Sequence, residues 1–200
     1  MALTPVKTVQ TALAAWQDVA SAAQAISSAF NCATTWAASF GVRIARRTGT
    51  AFTAGSPNVR IEASIAASGN NSWIPLLTLQ PAVGATIGNT TLNGAVTAGA
   101  TTFVVAASTN FAAGDIVFLG DAATANYELV RIKSISTVTF TPEEAVVNAH
   151  ANAAIVTSQA FMAFPAIDLS PYVRVRAVLD NVGSGQNTSM EVQITTFDSF

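Results

Sequence analysis

Apolar and polar residues alternate with a period of two in several separate stretches, the signature of half-buried β-strands. Phe40, Val42 and Ile44 alternate with Gly41, Arg43 and Ala45, and Arg46-Arg47-Thr48-Gly49 then breaks the pattern. It resumes at Val59, Ile61, Ala63 and Ile65, with Arg60, Glu62 and Ser64 expected to face outward, and stops at the turn signal Ser68-Gly69-Asn70-Asn71. Trp73-Ile74-Pro75-Leu76 follows, and its proline predicts an edge strand or a bulge. Near the C-terminus Val173, Val175, Ala177 and Leu179 alternate with Arg174, Arg176 and Val178, and a glycine-bearing turn leads to Val192 and Ile194. That grammar predicts an antiparallel hairpin with one face in the core and one in water. The segment Thr4 to Ser28 is rich in Ala and Gln with weak periodicity, and predicts either a short helix or an extended arm that packs on a neighbour.

Between these halves lies a block with its own punctuation. Gly84 to Asn89 and Thr97 to Ala100 flank short β-prone runs; Gly114-Asp115 leads into Ile116-Val117-Phe118-Leu119, and Gly120-Asp121 closes it. Tyr127 to Ile135 alternates again, and Val138 to Phe140 and Ala154 to Val156 complete about five short strands, a spacing that predicts a small barrel or sandwich. The predicted class is therefore all-β: an antiparallel, jelly-roll-like β-sandwich formed by 1–87 with 158–200, carrying an inserted small β-barrel module at 88–157. The C-terminal strands must pair with strands before the insert, because neither half alone supplies a stable sheet. One elongated sandwich with a long embellished hairpin is the alternative.

Composition sharpens this. Half of the residues are hydrophobic and a tenth are charged, against about a quarter charged in ordinary soluble domains. A surface so short of charge favours burial in an assembly over life as a free monomer. The net charge of −2 gives no field toward nucleic acid or anionic membrane. The uncharged run Val19 to Val42 contains eight Ser, Thr, Gln or Asn residues, too polar for a membrane-spanning helix, and no Leu-rich secretory core follows Lys7. The insert is acidic, with five acids against two bases, while the flanking halves hold six acids against seven bases.

Catalytic and metal-binding patterns are not found in the sequence. His150 is the single histidine, in a polar stretch without a nucleophile elbow, and reads as a surface or structural residue. Cys32 is the single cysteine, which rules out an internal disulfide and reads as an inert buried thiol. Adjacent Glu143 and Glu144 point to opposite faces of a strand, and Asp115 and Asp121 beside glycines suit turns better than a calcium site. The expectation is a non-enzymatic chain without cofactor or metal. Six of the nine basic residues, Arg43, Arg46, Arg47, Arg60, Arg174 and Arg176, could share one exposed face. They are the candidate interface, to meet acidic neighbours or phosphate in packaged DNA; a solvated face with local pairs such as Arg60–Glu62 is the alternative. No aromatics interleave with them, so direct nucleic-acid contact is not expected.

Arg46-Arg47-Thr48-Gly49-Thr50-Ala51-Phe52-Thr53-Ala54-Gly55, Asn58-Val59-Arg60-Ile61-Glu62-Ala63-Ser64 and Trp73-Ile74-Pro75-Leu76 resemble β-sandwich proteins encoded with tailed-phage structural genes. The insert, from Gly99-Ala100-Thr101-Thr102 through Phe111-Ala112-Ala113-Gly114-Asp115 to Tyr127-Glu128-Leu129-Val130-Arg131-Ile132, resembles a small β module of phage virion proteins. The resemblance covers about two-thirds of the chain. It implies a structural virion protein of a tailed bacteriophage, assembled in the host bacterial cytoplasm. The leading expectation is a capsid decoration (cement) protein, a homo-oligomer such as a trimer bound to the major capsid protein. A neck or tail adaptor ring is the runner-up. A glycan-binding β-sandwich module is the alternative from another class; its aromatic platform would have to come from Trp16, Trp36, Trp73, Tyr127 or Tyr172, and Trp36 and Trp73 are expected in the core.

Overall fold

The computed structural model describes residues 6–9, 12–46, 57–69, 72–81, 87–120, 126–158, 160–182 and 187–198. These form two compact units, Met1–Ile44 with Thr53–Pro81 and Met162–Phe200, and Ala45–Phe52 with Ala82–Phe161. Seven strands come first: β1 (Val6–Val9), β2 (Ala14–Val19), β3 (Gln24–Ile26), β4 (Phe30–Asn31), β5 (Thr35–Ala45), β6 (Asn58–Ser64) and β7 (Ile74–Leu79). The insert supplies β8 (Asn89–Thr91), β9 (Phe103–Val104), β10 (Ile116–Gly120), β11 (Tyr127–Ser136), β12 (Thr139–Pro142) and β13 (Ile155–Thr157). Four more follow: β14 (Ala160–Ala163), β15 (Ala166–Asp168), β16 (Arg174–Asp180) and β17 (Thr188–Asp198). Among the described residues no helix is long and apolar enough to cross a membrane.

The first unit is a jelly-roll sandwich. One sheet runs β1-β17-β5-β14, with β2 also on β17 and β15 also on β5; the other runs β3-β16-β6-β7, with β4 also on β16. The chain passes repeatedly between the sheets: β1 and β2 lie in the first, β3 and β4 in the second, β5 in the first, β6 and β7 in the second, β14 and β15 in the first, β16 in the second and β17 in the first. Strands from the two chain ends therefore meet, β2 against β17 and β3 against β16, in antiparallel register. The period-two pattern is the cause. Phe40, Val42 and Ile44 of β5, Val59 and Ile61 of β6, Val175 and Leu179 of β16, and Met190 and Val192 of β17 are all fully buried. Each large apolar side chain so buried contributes about 1.5–3 kcal/mol.

Several expectations are corrected here. Thr4 to Ser28 gives neither a helix nor an arm; its described part contributes β1, β2 and β3 to the two sheets. The C-terminal strands are not a hairpin: β16 pairs with β3, β4 and β6 while β17 pairs with β1 and β2, so the two lie in different sheets. Glu62 and Ser64 lie on the outward parity as expected but are covered there, and Ile65, one residue past the end of β6, is 65% exposed. Pro75 satisfies both options its position allowed. β7 is an edge strand, and a register shift against β6 leaves Leu76 as the extra residue of a bulge.

The insert is a small barrel. Its six strands run in the order β8-β13-β10-β11-β12-β9, one more strand than the sequence predicts. The two ends of that order meet: Leu92 bridges Val105, Asn93 N–H donates to the Val104 carbonyl at 2.9 Å, and Ala106 N–H donates to the Thr91 carbonyl at 2.9 Å. Closure removes the unpaired edges of a small sheet. Leu92, Val105, Val117, Leu119, Ile132, Phe140 and Val156 fill the interior. Phe140 anchors it, with Phe103 at 5.5 Å and Phe111 edge-on at 5.1 Å.

Candidate functional site

The register between β6 and β16 decides where the arginines go. Arg174 stands opposite Ser64, Arg176 opposite Glu62, Val178 opposite Arg60 and Asp180 opposite Asn58. Because side chains alternate, Arg60, Glu62, Arg174, Arg176 and Asp180 all project on the face of the second sheet away from the sandwich core. They form one network. Arg60 Nη1 donates to Asp180 Oδ2 at 2.6 Å, and its Nε lies 3.4 Å from Glu62 Oε1. Arg176 grips Glu62 Oε2 through Nε at 2.9 Å and Nη2 at 2.8 Å. Gln24 Nε2 on β3 donates to Asp180 Oδ2 at 2.8 Å. Arg174 instead turns to backbone, donating from Nε to the Ala66 carbonyl at 2.7 Å and from Nη2 to the Gly69 carbonyl at 3.0 Å.

Trp73 belongs to this face and not to the core. The guanidinium carbons of Arg176 and Arg174 lie 4.2 and 4.8 Å from the centre of its ring, within cation–π range. The other arginines do not join the group. Arg43 is on β5 of the first sheet, paired with Glu191 at 3.0 Å. Arg46 is fully buried, and desolvation pulls its guanidinium below the ordinary value. Arg47 lies outside the described residues. So three of the six predicted interface residues share a face, together with Glu62, which the sequence had paired with Arg60, and with Asp180 and Trp73, which sequence reasoning had not placed there.

In the barrel, His150 is buried and its Nε2 lies 2.8 Å from Glu128 Oε1. Glu128 also accepts the N–H groups of Val147 at 2.9 Å and Asn148 at 3.0 Å, so it clips the loop before His150 onto β11. Burial, the largest single influence on Glu128, pushes its carboxyl up. The hydrogen bonds from His150, Val147 and Asn148 and the pull of His150 together outweigh it, and the carboxyl sits below its usual range. Sequence reasoning missed Glu128. The signal was its parity, since 128 shares the inward side with Val130 and Ile132. Cys32 is fully buried, and desolvation, only partly opposed by a backbone hydrogen bond, raises its thiol to about 11. Asp115 closes the turn before β10 by accepting the Ala112 N–H at 2.8 Å, and Asp121 lies outside the described residues.

Among the described residues no three His, Cys, Asp or Glu side chains are grouped to hold a metal ion. A cavity of about 230 Å³ opens in the barrel beside Asn93, Thr97 and Phe103, and one of about 170 Å³ in the sandwich beside Thr34, Trp36 and Ser170. Both fall short of the roughly 300–1,000 Å³ of small-molecule sites. Trp36, expected in the core, is 43% exposed at the second of these and tilts against Phe197 at 6.1 Å.

No protein-family model matches the chain, and none of the curated proteins matches it. Among solved structures it is similar to VP17, a capsid protein of bacteriophage P23-77, at 10% identity over 97% of this chain and 100% of that one. The TM-score of that superposition is 0.19, so the likeness carries no argument.

Proposed function

We propose that the chain is a structural protein of a tailed-phage particle, and that its place there is decoration of the capsid lattice. The observation that carries this reading is a jelly-roll sandwich with a sparsely charged surface. Only a tenth of the residues are charged, and Ile26, Ile65, Phe164 and Val182 each leave more than half of their area in water. Jelly rolls serve viral capsids, lectins and cupins, and the fold by itself chooses none of them. Exposed apolar side chains on a low-charge surface favour the capsid use, because large permanent interfaces are more apolar than transient ones. The work of such a protein is mechanical: it buries apolar area against adjacent lattice subunits and so opposes their separation.

The test is the copy number per purified particle, by quantitative mass spectrometry against the major capsid protein. A number comparable to that protein supports lattice decoration. A single ring's worth moves the chain to the neck or tail, and absence from particles refutes the virion reading.

A further inference from the structure

We infer that the outer face of the second sheet, centred on Arg60, Trp73, Arg174 and Arg176, is the surface that seats a carboxylate-bearing neighbouring subunit of the particle. The inference rests on the virion reading above and adds which face is used and what chemistry it meets.

The layering of the network argues for this. The carboxylates lie deeper than the guanidinium groups: the side chains of Glu62 and Asp180 are each 11% exposed, against 28% for Arg60 and 19% for Arg176. The carboxylates are also engaged from several sides, Glu62 by Arg60 and Arg176 and Asp180 by Arg60, Gln24 and the Val182 N–H. The guanidinium groups are not saturated. Among the described residues, Arg60 Nη2, Arg174 Nη1 and Arg176 Nη1 have no partner. What the face offers outward is therefore donor N–H groups in fixed planes, and the matching ligand is an acceptor, best a carboxylate that takes two parallel N–H groups. Three guanidinium groups over two carboxylates leave one positive charge, complementary to an acidic surface.

Order and apolar anchorage point the same way. Stacking on Trp73 holds both arginines, together with Glu62 for Arg176 and the Ala66 and Gly69 carbonyls for Arg174, so seating a partner costs little further side-chain entropy. Beside the donors stands Ile26, opposite Val178 and hence on the same face, 55% exposed. An exposed aliphatic residue on the same face as the arginines can exclude water from their polar contacts, the part that apolar groups play around an interface hot spot. A single positive charge in excess is too little to hold a phosphate backbone, whose affinity comes from several neutralised phosphates.

The experiment uses a phage lacking the gene and supplied with the full chain as wild type, Ile26→Asp, Arg176→Gln or Arg43→Gln. Copies per purified particle and the melting temperature of each purified chain are measured. Ile26→Asp puts a carboxylate where partner carboxylates would sit, at an exposed site that leaves the fold intact; we expect its incorporation to fall at least about tenfold. Arg176→Gln should fall several-fold, and Arg43→Gln, on the other sheet, should match wild type. If Arg176→Gln also lowers the melting temperature, Ile26→Asp decides. Wild-type incorporation of Ile26→Asp would overturn the face and leave the virion reading standing, whereas absence of the wild-type chain from particles would remove both. A shift of linear duplex DNA by the wild type that Arg176→Gln abolishes would give the face to phosphate and overturn the proposal.

Discussion

Glu128 occupies a position where a carboxylate is ordinarily excluded, on the inward parity of a barrel strand. It is tolerated there because His150 and two backbone N–H groups meet its oxygens. Glu128→Ala would leave the buried His150 without its partner and free the Val147 and Asn148 N–H groups to solvent, and should cost roughly 1–3 kcal/mol, measured by equilibrium unfolding of the full chain. The pH dependence follows from the direction of its shift. The folded value lies below the unfolded one, so the clip contributes fully above the ordinary Glu range and its contribution disappears as pH falls through the depressed value. The stability gap between wild type and Glu128→Gln should therefore shrink as pH falls below the ordinary Glu range, about 4.3. Cys32 gives a simpler test at the same scale. Its buried thiol, raised to about 11, should resist a thiol reagent at neutral pH and react at once in denaturant.

At the scale of elements, periodicity told which residues face a core but not which sheet a strand joins. Val175 to Leu179 and Val192 to Ile194 were both legible as strands. Their separation into different sheets was not, because Gly-Ser-Gly at 183–185 in the sequence suits a hairpin as well as any other connection. The fold class was legible, inserted barrel included, since turn signals at short spacing distinguish the insert from the longer strands around it. The site was half legible. Alternation put Arg60, Arg174 and Arg176 on one parity and Glu62 beside Arg60, but Asp180 and Trp73 join them through register, which sequence does not supply, and so does the cover that buries Glu62. Gly88 shows the same limit: it reads as turn punctuation, yet a Cβ there would sit 2.5–2.6 Å from three ring atoms of Phe111, which itself packs edge-on to Phe140. Gly88→Ala must displace that ring and should cost about 1–3 kcal/mol in chain stability, whereas Gly94→Ala, with open space but φ of +114°, should cost about 1 kcal/mol through backbone strain alone. Equal losses at the two sites would refute the packing role.

At the scale of the whole molecule, the insert has the anatomy of an independent folding unit. Its two ends are tied together: Gly88 N–H donates to Ser158 Oγ at 2.8 Å, Ser158 N–H donates to the Gly88 carbonyl at 3.0 Å, and Asn89 pairs with Thr157. Its sheet closes on itself and encloses its own apolar cluster around Phe140. A module whose ends meet can be gained or lost from the connection between two sandwich strands without changing how far apart those strands are held. Residues 87–158 expressed alone should therefore fold, with modest stability because a chain of that size buries a small core. Dispersed amide resonances and a cooperative thermal transition would be the mark of it. The complementary deletion, with a short Gly/Ser linker in place of the insert, should keep the sandwich folded, since every described pairing of β2, β3, β6 and β16 lies outside the insert. If the fragment is unfolded while the deletion variant is stable, the barrel depends on its host and its closure is not enough. If the deletion variant also unfolds, the pairings among the sandwich strands are not enough to hold that unit without the insert.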